Sequence, residues 1–156
     1  QDAIMRTDSV VSTIQNEGII LEKLSYQFAN WNRGQAENKM TRLINRYGAE
    51  IELVISNNDE MALGAVAAYD ALGYPQDSRP VILGIDGLDS ALEAVKDGTI
   101  QGTVYNDKEG QAMMISGLAL NLFQGKALAD YDFENERYIF LPYHKVTAEN
   151  VDEFFK

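Results

Sequence analysis

Apolar residues recur along this chain at two spacings, and the two alternate. Helical spacing joins Ile4, Met5, Val10, Val11 and Ile14, which predicts a helix over 2–16 with Gly18 as its stop. "IILEKLSYQF" (19–28) follows as a strand. A polar-faced helix over 34–47 turns Met40, Leu43 and Ile44 inward, and "IELVIS" (51–56) reads as a short, buried strand. Small residues dominate the next helix, 59–72, which Gly73 closes. "PVILGID" (80–86) is again a buried strand, followed by a helix over 90–96 and Gly98. "IQGTVYN" (100–106) is a strand, 108–123 an apolar helix ended by Gly125, "RYIFLPYHKV" (137–146) a last strand, and 149–155 a short terminal helix.

Apolar strands separated by helices of this length predict an α/β fold with a parallel sheet covered on both faces. No linker, repeat or low-complexity tract interrupts the alternation, and "ALADYDFENE" reads as a surface excursion. The 156 residues suffice for one domain with a real core. No apolar run reaches the roughly 18 residues that a membrane-spanning helix needs. The absence of cysteine excludes disulfides and thiol chemistry and argues against a zinc site. A net charge of −11 argues against nucleic acid and suits neutral or cationic partners. The chain opens on Gln1 rather than methionine, so further sequence is expected before it.

In open parallel sheets, ligands sit at the carboxyl ends of the strands. Here "VIS" is followed by Asn57, Asn58 and Asp59, "LGI" by Asp86, and "TVY" by Asn106 and Asp107. Three strands thus bring amides and carboxylates to one edge. Each site also begins a helix, so N-capping competes with ligand contact at every one of them. Convergence of the three favours a ligand. No residue set reads as catalytic: His144 is the one histidine, and nucleophile-elbow and phosphate-loop patterns are absent. The chain is therefore not expected to be an enzyme and needs no cofactor. Asp2 and Arg6 stand four apart on one helical face, where a plain ion pair is the simplest reading. Trp31, flanked by Asn30, Asn32 and Arg33, is expected to be exposed or to line the site. Asp2, Arg6, Trp31, Asn58, Asp86 and Asn106 together form a sugar-binding inventory. Planar polar groups match hydroxyls that both donate and accept, and an aromatic ring covers the C–H face of a pyranose.

The segments "RTDSVVSTIQNEGI", "WNRGQAENKM", "IELVISNNDEMALGAV", "PVILGIDGLDSALEAVKDGTIQGTVYND" and "LPYHKVTAENVDEF" cover nearly the whole chain. In them it resembles the periplasmic sugar-binding proteins of ABC importers, type I fold, nearest the galactose/glucose type. The resemblance places that family's C-terminal-lobe ligands on the same six residues. It implies a monosaccharide ligand, importer membrane subunits as partners with a chemoreceptor as a further option, and a periplasmic or extracellular location, with a lipid anchor as an option. It assigns 1–106 and 144–156 to a C-terminal lobe whose first strand lies outside this chain, and 107–143 to a crossover helix and strand of the N-terminal lobe. Some relatives bind calcium partly through a Glu that Glu52 matches. The oxygen-rich loop would lie upstream of residue 1, so no metal is expected here. "NNDEMALG" is also similar to effector domains of the lac-repressor family, which is the alternative reading. "ALEAVKDGTIQGTVYND" looks like the importer proteins instead.

Overall fold

Small residues allow two helices to meet closely over the sheet. The computed structural model describes residues 2–129, 131–135 and 137–155, with Asp2 described in its backbone alone. Helices α1 (Asp2–Asn16), α2 (Arg33–Tyr47), α3 (Asp59–Ala71), α4 (Asp89–Lys96) and α5 (Lys108–Phe123) alternate with strands β1 (Leu53–Ile55), β2 (Val81–Leu83), β3 (Thr103–Asn106) and β4 (Tyr143–Val146). At the crossing of α2 and α3, a Cβ on Gly64 would strike the Arg33 carbonyl oxygen. Ala62, Ala65 and Ala68 on α3 are buried, as are Met40 and Ile44 on α2.

β1 pairs with β2 in parallel, Val54 opposite Ile82. Parallel bridges Leu83–Gly102 and Asp86–Tyr105 join β2 to β3. β4 closes the order and runs antiparallel to β3, with Tyr105 opposite His144. A parallel sheet thus carries one antiparallel edge strand. One buried cluster unites α2, α3 and α4 with the sheet through Ile44, Tyr69, Ile82, Leu92, Ile100 and Val146.

The element boundaries depart from expectation where tertiary partners are lacking. Residues 19–28 form no ladder among the described residues, and Ile20 is 96% exposed. A β-pattern becomes a strand only when another strand supplies its hydrogen bonds. Here the Leu24 carbonyl accepts from the Tyr47 hydroxyl instead (3.0 Å). The expected buried strand at 51–56 contracts to a half-buried β1, because β2 is its one neighbour among the described residues. The expected strand at 137–146 contracts to β4, with an isolated bridge at Glu134–Tyr138 upstream. The terminal helix is a short 3-10 turn, Val151–Phe154. Helix α5 matches 108–123 in full, yet it contributes no buried residue.

The exit of β2 crosses the start of α3 so closely that a Cβ on Gly84 would collide with Asp59 Oδ1. Overpacking a fixed contact costs about 1–3 kcal/mol. Gly84→Ala is therefore expected to lower the midpoint of urea unfolding by that equivalent, whereas Gly34→Ala, whose Cβ would meet only Asn32 Oδ1 at 3.6 Å within a helix, should not lower it.

Candidate ligand site

Each polar residue of "NND" goes to a different neighbour. Asn57 reaches α1: its Nδ2 donates to the Ala3 carbonyl (3.2 Å) and to Thr7 Oγ1 (2.9 Å), while its carbonyl accepts from Arg6 Nη1 (2.7 Å). Asn58 caps α3, its Oδ1 accepting from Met61 N (3.0 Å). Asp59 is fully buried and reaches two other strand ends. Its Oδ1 accepts from Thr103 Oγ1 (2.6 Å) and its Oδ2 from Leu88 N (2.8 Å). Capping thus accounts for Asn58, as it does for Asp107, which accepts from Gly110 N (3.0 Å). The Asn58 amide NH2 keeps no partner among the described residues, so the residue can cap and still donate to a ligand.

Arg6 is the centre of the edge. It lies 3.5 Å from Asp86 Oδ1 and its guanidinium carbon is 5.9 Å from the Trp31 ring centroid. Trp31 is 47% exposed and sits at φ +59, next to Asn30 at φ +50. Left-handed backbone is unusual for a bulky residue. The bond from Asn32 N to the Ala29 carbonyl (3.0 Å) closes this turn and directs the ring toward α1. Asp86, at φ +125, is held by its N–H to the Val104 carbonyl (2.9 Å) and by its carbonyl, which accepts from Asn106 N (3.1 Å). Asn106 therefore adjoins Asp86, with its Oδ1 accepting from Gln111 Nε2 (2.5 Å).

Of the six expected site residues, Arg6, Trp31 and Asp86 meet directly, Asn106 adjoins them, and Asn58 stands at the neighbouring strand end. Asp2 begins α1, but its side chain lies outside the described residues. Asn57 and Asp59, expected at this edge as ligand or capping groups, serve instead as supports, and Thr7 and Thr103, which were not singled out from sequence, join them. Thr103 carried one signal: a hydroxyl at the inward register of a strand, two residues from buried Tyr105, needs an acceptor.

Burial pushes the Asp86 carboxyl above the ordinary value of 3.8; Arg6 pulls the other way, and the charge of Asp59 adds to the rise. Asp59 is also raised by burial, against the Thr103 hydroxyl and the Leu88 and Gly87 N–H groups, with Glu60 adding to the rise. A 3.5 Å gap is longer than a strong charge-assisted bond. A ligand hydroxyl that donates to Asp86 and accepts from Arg6 would complete both groups.

A family model described as a periplasmic binding protein domain matches residues 1–127. The chain belongs to the periplasmic binding protein family. Relatives of this periplasmic binding protein chain include a putative rhizopine-binding protein of Rhizobium meliloti, 41% identical over 99% of this chain and 47% of the relative. The D-galactose/methyl-galactoside binding periplasmic protein MglB of Haemophilus influenzae is 34% identical over 99% of this chain and 46% of its own length. Among solved structures, an ABC transporter solute binding protein from Bacillus halodurans with bound myo-inositol superposes with a TM-score of 0.80. It is 36% identical, over 97% of this chain and 48% of that one. The chain has the α/β, parallel-sheet architecture of type I periplasmic binding proteins, and it spans about half the length of the curated relatives it matches.

Two outcomes follow for the ligand-free protein. Arg6→Ala should shift the emission of Trp31, the one tryptophan here, because it removes the cation beside the ring. Because the folded pKa values of Asp59 and Asp86 are raised, the folded state holds these protons to higher pH than the unfolded state. Their contribution to stability is complete below pH 3.8 and is lost as pH rises through the folded values. Carbon-detected titration of both carboxyls should give midpoints above 3.8.

Proposed function

We propose that this chain supplies one wall of the ligand cleft of an extracytoplasmic solute-binding protein that captures a sugar or cyclitol for an ABC importer. The observation that carries the reading is the Arg6–Asp86 pair beneath the half-exposed Trp31 ring, flanked by Asn58 and Asn106. A polyhydroxylated six-membered ring fits these groups: its hydroxyls bridge Arg6 and Asp86, and its C–H face covers the indole. The named relatives support this ligand class through galactoside, rhizopine and myo-inositol. Galactose or glucose is the specific sugar expected from sequence, and myo-inositol joins them as a rival of the same shape. The membrane subunits of the importer are the partner, in the periplasm or outside the cell, and binding involves no covalent step.

We propose further that residues 107–143 pack with a second lobe. Helix α5 is apolar on all sides yet contributes no buried residue; Phe123 is 91% exposed. An open groove of about 370 Å³ runs between it and the 133–143 arm, lined by Met114, Leu118, Phe133, Ile139 and Phe140. A helix apolar all round is normally covered.

Calorimetry of the intact parent protein with D-galactose, D-glucose and myo-inositol tests the function. Charge-assisted hydrogen bonds contribute roughly 1.5–3 kcal/mol each. Asp86→Ala should therefore weaken binding at least about tenfold with little change in melting temperature. Affinity should fall as pH is lowered through the raised Asp86 value, because a protonated carboxyl loses an acceptor. Unchanged affinity with a lowered melting temperature would reduce Asp86 to a structural residue. The isolated 156-residue chain should bind far more weakly than the parent, since one wall cannot close over a ligand.

A further inference from the structure

Buried carboxylates without an ion-pair partner need fixed donors, and the donors of Asp59 lie on segments that carry the ligand edge. We propose that Asp59 is a positioning residue for the ligand-facing loop. By accepting from the Leu88 N–H and donating its own backbone N–H to the Ile85 carbonyl, it fixes the left-handed backbone at Asp86, and so aims the Asp86 carboxylate at Arg6.

Asp86 and Gly87 adopt consecutive positive φ angles, +125 and +73. The first is a conformation that a non-glycine residue keeps only when its surroundings hold it. On its inner side the Asp86 peptide is held by β3, through Val104 and Asn106. On the outer side the bond runs to Asp59: Leu88 N donates to Oδ2 at 2.8 Å. Asp59 itself cannot drift. Its backbone N–H is bonded to the Ile85 carbonyl (2.7 Å), and its Oδ1 is bonded to Thr103 Oγ1 (2.6 Å) and fills the space left by the absent Cβ of Gly84. One residue at the start of α3 therefore grips the loop on both sides of Asp86, at Ile85 and at Leu88. Any freedom at Asp59 passes to Asp86, then to the guanidinium it faces at 3.5 Å, and to the ring beside that guanidinium.

The test uses the intact protein, with readouts that need no ligand: the Trp31 indole N–H resonance and the titration of the Asp86 carboxyl. Only the affinity arm rests on the sugar-binding reading. Asp59→Asn is expected to move the Trp31 resonance and to lower the Asp86 midpoint, because the neighbouring negative charge is gone. It should also weaken binding of D-galactose or myo-inositol by about tenfold. Thr103→Val keeps the carboxylate and both loop bonds. It should lower the melting temperature while leaving the Trp31 and Asp86 signals at their wild-type positions. If both signals stay in place in Asp59→Asn, or Thr103→Val moves them equally, Asp59 is merely structural and the proposal is overturned. Should Asp59→Asn fail to fold, the wild-type protein decides. A through-hydrogen-bond coupling between the Leu88 amide nitrogen and the Asp59 carboxyl carbon supports the proposal, and its absence overturns it. Should the wild type bind neither probe, the sugar reading falls, while the ligand-free signals still decide this one.

Discussion

Asp59 places a carboxyl group in a fully buried position at the start of α3. Taking a carboxylate out of solvent costs several kcal/mol unless fixed donors replace its hydration. The replacements here are the Thr103 hydroxyl and the Leu88 N–H, and the place of the residue in the first turn of α3, where the helix dipole favours an anion, adds to them. Because those donors belong to β3 and to the β2–α4 loop, satisfying one buried carboxyl group sets the relative position of three strand ends. Gly84 is required by the same contact, since any side chain there would occupy the carboxylate's place.

The ligand edge inherits this geometry. Asn57 latches α1 to the end of β1, which places Arg6 over the strand ends. Asp86 comes to Arg6 from the loop gripped by Asp59, and Trp31 comes from a strained turn between 19–28 and α2. Strain at Trp31 and Asp86 is concentrated where a ligand would bind. Left-handed backbone at bulky or charged residues costs about 1–3 kcal/mol each and persists when neighbouring contacts over-determine it.

The polar end and the apolar arm show opposite conditions. At the strand ends, the buried Ser56, Asp59 and Thr103 side chains are matched by donors and acceptors within the chain. Along α5 and the arm that follows it, large side chains such as Met113, Phe123 and Phe140 remain in solvent. Family membership gives this contrast a frame: the chain spans about half of its relatives' length.

Much of this was legible in the sequence. Periodicity and stop residues delimited α1 and α5 without error, because helices draw their hydrogen bonds from within and need no partner to exist. The switch from strand to Asn or Asp marked the edge where polar groups of three segments come together, and capping accounts for two of them, Asn58 and Asp107. The importer-like reading of "ALEAVKDGTIQGTVYND" agrees with the named relatives. Tertiary structure alone decided the strands, whose bonds are made by neighbours: 19–28 joins no ladder among the described residues and β1 stays half-buried despite their patterns. It also decided which member of "NND" does what. Asn57, Asn58 and Asp59 are near-equivalent as letters, and the distances to Thr7, Met61 and Leu88 give them their separate roles as latch, cap and loop anchor.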